Sequence, residues 1–143
     1  MSTFVAKTIR GVIQTRILSA WPTVTAIYPG PPEEYPENTH ALPMAFIITN
    51  SVEKVPSAIR SWRGRYSFTI IGRFAMPSSG VYQDAQEDRA NELYAAMITG
   101  SQFGTIGDLH DITGVSYTLL SAREEKAYEV TIDFYCESEQ SRV

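Results

Sequence analysis

Apolar residues recur along the chain in two rhythms. In the first, Val5, Ile9, Val12, Ile13 and Ile17 fall three and four apart, while Lys7, Arg10, Gln14 and Arg16 lie largely off that stripe. The spacing predicts an amphipathic helix over residues 3–20. Thr3 is the expected N-cap. Trp21-Pro22 ends the helix, because a residue before proline is pushed out of the α region. Residues 23–28 then read as a short β-rich segment. Further on the rhythm becomes two. Residues 44–52 open on a continuous apolar run, Met44 to Ile48, as expected of a central strand covered on both faces. Over 65–74, Tyr66, Phe68, Ile70 and Phe74 alternate with Arg65, Ser67, Thr69 and Arg73. Over 128–136, Tyr128, Val130, Ile132, Phe134 and Cys136 alternate with Glu129, Thr131, Asp133 and Tyr135. Val115, Tyr117 and Leu119 give a weaker strand over 114–120, joined to the last one by a turn at 121–125.

The helical rhythm returns over 81–99, after the breaker at 76–80 and before Gly100 as a stop. Asp84, Glu87 and Asp88 crowd the first turns, where the helix dipole favours negative charge. Tyr82, Ala85, Leu93, Ala96 and Met97 form the expected buried face. Arg89 interrupts it and must find a partner or reach to water. The predicted order is α-β-β-β-α-β-β. The expected core includes Ile13, Phe46, Ile48, Phe68, Ile70, Leu93, Val130, Ile132 and Phe134.

One stretch fits neither rhythm. Residues 29–43 hold five of the eight prolines together with Glu33, Glu34, Tyr35 and Glu37. Proline fixes φ and donates no hydrogen bond, so neither a helix nor a central strand should run through it. A long loop inside a small domain is usually functional or disordered. No shift in composition across it marks a second domain, so residues 1–143 read as one domain.

With 143 residues, 43% hydrophobic and 20% charged, the chain has the composition of an ordinary globular domain. The net charge of −4 argues against a whole-domain grip on nucleic acid. Cys136 is the only cysteine, which excludes an intrachain disulfide framework and a cysteine zinc cluster. No apolar run approaches the ~20 residues of a membrane helix. Charges through residues 1–20 argue against a signal peptide. The expectation is a soluble, intracellular protein with no membrane partner.

Candidate chemistry is sparse. Asp108, His110 and Asp111 could supply an acid–base group or a metal site. Their spacing matches no metal motif, and turn chemistry accounts for acids in a glycine loop. His40 has no acidic neighbour in register. Cys136 sits on an apolar strand face, where cysteine behaves as a small hydrophobe. No Gly-x-Ser-x-Gly elbow surrounds a serine. The glycines of residues 100–107 follow a helix and not a strand, so they lack the setting of a phosphate loop. The expectation is no enzyme, no cofactor and no metal.

Charge is distributed more tellingly. Residues 53–73 hold Lys54, Arg60, Arg63, Arg65 and Arg73 against the single acid Glu53, with Trp62 among them. Residues 53–65 link two strands expected to be antiparallel neighbours, so they form a basic hairpin arm. Arginine with tryptophan is the composition of an interface hot spot. It could also stack on nucleic acid or be a solvated loop. Acids lie elsewhere: in the proline loop, at the second helix, and at Glu137 and Glu139. The candidate interface is therefore Lys54, Arg60, Trp62, Arg63 and Arg65 on the arm, with Glu33, Glu34 and Tyr35 on the loop. Opposite charges on one domain favour head-to-tail assembly of copies.

The chain resembles the tail terminator (tail completion) proteins of long-tailed bacteriophages. The residues that carry this are the helix at 4–19 running into Trp21-Pro22, the proline loop 29–43 before a strand, and Arg65-Tyr-Ser-Phe-Thr-Ile-Ile-Gly-Arg73. They are followed by Asp-Arg-Ala-Asn-Glu-Leu at 88–93 and the closing strand at 128–134. The resemblance implies an α+β domain, with two helices on a mostly antiparallel sheet of four to five strands. It implies a ring, expected as a hexamer, on the end of the tail tube. That ring would stop tube polymerisation and meet the head-completion or connector protein, with DNA only passing through its lumen. The expected location is the tail–head junction of the virion, after assembly in the host cytoplasm. Other neck and head–tail joining proteins are rivals within this class. Outside it stand a nucleic-acid module using the arm, and a small ligand-binding or enzymatic domain. The latter would use a pocket lined by Asp108, His110, Asp111 or Tyr128.

Overall fold

The first apolar stripe forms α1 (Ala6–Ala20), which buries Ile9, Ile13 and Ile17. The N–H of Val5, just before it, donates to Tyr66 Oη at 3.1 Å, so one of the helix's orphan donors finds a partner in the sheet. The computed structural model describes residues 5–35, 42–58, 61–77, 82–97, 109–120 and 127–141, with side chains left out at 55–58, 61–62, 82, 109–110 and 139–141. Thr3 and His40 lie outside the described residues, as do the turn at 121–125 and the glycines at 100–107.

After α1 come β1 (Ala26–Pro29), a single 3-10 turn at Pro32–Glu34, β2 (Met44–Ala58), β3 (Ser61–Ala75), α2 (Tyr82–Met97), β4 (Leu109–Leu120) and β5 (Ala127–Ser141). The strands form one sheet in the order β1-β2-β3-β5-β4. β1 runs parallel to β2, and the other pairs are antiparallel. The predicted α+β class and element order are met. Both helices pack on one face of the sheet, α1 against β2 and α2 against β5 and β4, and they contact each other.

The core lies under the helices. Tyr66, Phe68, Ile70 and Phe74 of β3 meet Tyr128, Val130, Ile132, Phe134 and Cys136 of β5 there, with Leu93 and Met97 of α2 above. Two expected core residues sit elsewhere. Phe46 is buried but faces the helix-free side, and Ile48 is only partly buried there. On β2 the helix side is supplied by Ala45 and Ile47. An uninterrupted apolar run carries no phase, so the sequence could not tell these faces apart.

Gly72 lets the helix end close on the sheet. A Cβ there would stand 2.8 Å from the Trp21 ring and from Phe74. The Trp21 ring meets Phe74 edge-on at 5.0 Å, and its Nε1–H donates to the Arg89 carbonyl at 3.1 Å. On α2 the buried residues are Gln86, Ala90, Leu93 and Met97, a face rotated from the expected one; Ala85 and Ala96 are only partly covered. Arg89 borders this face. Its guanidinium lies 5.3 Å over Phe74 and donates to Glu92 at 2.6 Å. Burial works against its charge, but the Tyr128 hydroxyl and Glu92 outweigh it, so its pKa is raised.

Four strands run longer than their patterns, β3 among them, which begins at Ser61 and not at residue 65. β2 continues through Pro56 to Ala58, which a central strand would not allow. It can do so because β1 pairs only with Met44–Ile47, leaving β2 an edge from there on. β5 continues to Ser141. β4 begins at Leu109, so His110 and Asp111 belong to a strand and not to a glycine loop.

Candidate protein interface

The arm is a β-ribbon of three strands. β2 and β3 pair from Glu53↔Arg65 to Ala58↔Ser61, with a register shift between Pro56 and Ala58. On the other side of β3, β5 continues the ladder through Arg65↔Glu137, Arg63↔Glu139 and Ser61↔Ser141. Six residues of β2 lie beyond Val52, the last whose described side chain packs on the core, and span roughly 20 Å at ~3.3 Å each.

This register changes the charge argument. Glu137 and Glu139, expected to complement the arm of another copy, stand beside it in the same chain. Arg63 lies 3.8 Å from Glu137, with both side chains partly exposed. The Arg65 guanidinium stacks 4.2 Å over Tyr135. Glu53 and Glu137 flank Arg65 on its two neighbouring strands. A partly exposed pair of this kind contributes about 0–1 kcal/mol, so the backbone ladders hold these strands together and the ion pair adds little. Lys54 is exposed on the outer strand. Trp62 pairs with Pro56 and Gln140 through its backbone, while its side chain and all of Arg60 lie outside the described residues.

The loop candidates lie at the other end of the helix-free face. Glu33 and Glu34 are exposed. Tyr35 folds back, its hydroxyl donating to the Pro29 carbonyl at 2.5 Å. Its ring centroid lies 4.5 Å from Tyr28 and 6.0 Å from Phe46. Gly30 makes the turn with φ of 114°, a conformation glycine adopts freely. Arg73 closes this cluster, 5.4 Å over Phe46 and 2.7 Å from Glu129. Tyr35 thus covers the sheet, and the acids project. The structure does not bring loop and arm together, because their rows lie at opposite ends of β2.

Between them is an open groove of about 370 Å³, lined by Asn50, Glu53, Arg65, Thr113, Asp133 and Tyr135 among others. Asn50 donates to the Thr69 hydroxyl at 2.7 Å, which donates to Asp133 at 3.0 Å. These groups satisfy one another, and no nucleophile–base pair forms among the described residues of the groove.

The residues of the enzymatic alternative do not converge. Asp111 is exposed, opposite Tyr135 on the helix-free side, and its carboxylate accepts from the N–H of Ile112 at 2.8 Å. Tyr128 is buried on the other face, stacked at 5.5 Å on Phe74. Asp108 and the His110 side chain lie outside the described residues. Among the described residues, no three His, Cys, Asp or Glu side chains group as a metal site would, and no helix is long and apolar enough to cross a membrane.

No family model matches the chain, and no curated protein does. Solved structures do. A chain of the "virion of native gene transfer agent (GTA) particle" superposes with a TM-score of 0.57 at 13% identity, over 92% of this chain and 97% of that one. A second solved chain, 14% identical, gives 0.49 over 91% and 94%. The fold is therefore that of a chain from a gene transfer agent virion, across nearly the whole length of both.

Proposed function

We propose that the chain is a structural virion protein that forms a ring on the end of a phage-type tail tube, stops its polymerisation and helps join tail to head. The carrying observation is the fold shared with a chain of a gene transfer agent virion over 97% of that chain. The arm supports it. A three-stranded ribbon with arginines on its central strand extends beyond the helix-packed core, where it can reach a neighbouring copy or the tube subunit beneath. Lys54, Arg60, Trp62, Arg63 and Arg65 are its contact residues in this reading, and Glu33 and Glu34 serve a different contact at the far end of β2. The protein works by binding and shape, without catalysis or cofactor. Its partners are itself, the tube protein and the head-side connector, with DNA passing through the lumen. Negative-stain microscopy of tube protein polymerised with and without this chain tests the proposal. The expected result is shorter tubes carrying a ring at one end. Unchanged tubes, with the chain bound only to the head connector, would move it to another neck role.

A further inference from the structure

Five large apolar side chains are exposed among the described residues: Leu18, Tyr94, Val115, Tyr117 and Leu119, each between 41% and 46%. They are not scattered. Val115, Tyr117 and Leu119 form one stripe on the helix side of β4, the sheet's last strand. Glu87 of α2 stands near Tyr117, which raises the Tyr117 pKa together with burial, the larger cause. Tyr94 lies two turns on from Glu87, so it shares that flank. Leu18 belongs to the opposite flank. Arg16 turns toward α2, donating to the Ala96 carbonyl at 2.7 Å, and Arg10 turns toward β2, reaching Thr49 at 3.5 Å. Helical spacing puts Leu18 on the Arg10 side of α1, above the β1 edge.

The β4 edge is also chemically unprotected. From Ile112 to Leu120 it carries no charge and no proline. The outer edge of the arm, by contrast, carries Glu53, Lys54 and Pro56, the residue types that discourage strand pairing. A long neutral apolar edge is a template for another strand.

We propose that copies of this chain join edge to edge, β4 of one beside β1 of the next, in antiparallel pairing. Three observations select a second copy as the occupant. First, β4 is antiparallel to β5, β5 runs with β2, and β1 is parallel to β2. Copies related by a rotation axis along the strands therefore present β4 and β1 in the favourable antiparallel sense. Second, the rows match. Ile27 aligns with Ala45, Ala45 with Gly72, Gly72 with Val130 and Val130 with Tyr117. A level junction sets Tyr117 of one copy against Ile27 of the next, with Leu18 above. Third, the outer helices complement each other. Of the cations of α1, Lys7 and Arg10 lie on the flank away from α2, and α1 holds no acid, while α2 holds four acids and one arginine. Edge joining alternates them around the assembly. The exposed apolar groups of the two edges supply the centre of the contact, and paired backbone and docked helices extend it toward the ~1,600 Å² total of a specific interface. Because opposite edges differ, the contact is heterologous, and it makes a ring where the rotation between copies closes.

The inference rests on the proposed self-assembly and names its seam. The test is oxidative cross-linking of the full chain carrying Ile27→Cys with Tyr117→Cys, beside each single variant. Paired strands hold facing Cα atoms about 4.5–5.5 Å apart, within disulfide reach. The expected result is a ladder of covalent oligomers ending at the ring number, absent from the single variants. Tyr117→Lys, a change at an exposed position, should leave the far-UV spectrum unchanged and weaken assembly at least tenfold. Rings that form normally, with no ladder and no effect of the lysine, would overturn the seam and leave the ring reading intact. A wild-type chain that stays monomeric alone and with tube protein would overturn both.

Discussion

From Tyr66 to Phe74, β3 sends an aromatic or aliphatic side chain under the helices at every second position but Gly72, where the Trp21 ring fills the space. From Ser61 to Arg65 the same strand offers serine, tryptophan, arginine and glycine, and none of its described side chains joins the apolar core. β5 divides in the same way, with Val130, Ile132 and Phe134 below and Glu137 and Ser138 above. One hydrogen-bonded ladder runs through both halves. The lower half is held by burial. The upper half is held by backbone pairing, by Arg63 near Glu137 and by Arg65 over Tyr135. Burial makes a region rigid and its losses expensive. Pairing at the surface leaves a region cheap to alter, and so able to carry contacts without endangering the fold.

The most severe test of that difference is truncation in the lower half. Phe68→Ala or Phe134→Ala, each about 1% exposed, should lower the unfolding free energy by about 3–5 kcal/mol, measured by denaturant titration. Losses below about 1 kcal/mol at both sites would mean that the helix side of the sheet does not dominate stability.

Next in size is an addition. Gly72→Ala places a methyl group 2.8 Å from the rigid ring of Trp21. Overpacking of this kind costs about 1–3 kcal/mol. The near-UV signal of Trp21 should change with it. A variant as stable as the parent would show that the helix end can shift away from β3 freely.

The same division explains what could be read from the sequence. Alternation at 66–74 and 128–136 fixed both faces of the central strands, since charged and hydroxyl residues mark the side away from the helices. The ends were not legible. β2 passes through Pro56 because β1, its outer neighbour among the described residues, pairs only as far as Ile47, a fact of topology that no local residue announces. β4 takes in His110 and Asp111 because β5 beside it is long. The face of α2 is not legible from apolar spacing alone, because Gln86 is buried while Ala85 and Ala96 are only partly covered. The candidate site was legible as composition, a cluster of arginines around a tryptophan. That Glu137 stands beside Arg63 was not, because it depends on a register between residues 74 apart in the chain. The stripe of Val115, Tyr117 and Leu119 is legible as a strand face, but that this strand stands at the edge of the sheet depends on its pairing with β5.

The smallest expected effect on stability is in the arm, and it is the one that separates support from function. Arg63→Ala removes a partly exposed pair at 3.8 Å, worth at most about 1 kcal/mol. Trp62→Ala combined with it should leave the far-UV spectrum unchanged and the unfolding midpoint nearly so, because Arg63 is partly exposed and both positions lie on the ribbon past the Val52↔Tyr66 pair. If the ribbon reaches a neighbour or the tube, the same double variant should weaken ring formation or tube binding at least tenfold, about 1.4 kcal/mol. That loss would come from the tryptophan as an anchor and the arginine as a charge-assisted donor. Sedimentation of the chain with and without tube protein measures it directly. Unchanged assembly would reduce the arm to an extension of the sheet. Loss of salt-sensitive DNA retention alone would hand the arm to nucleic acid instead. A fall in stability as large as that of Phe134→Ala would erase the distinction between the two halves of the sheet.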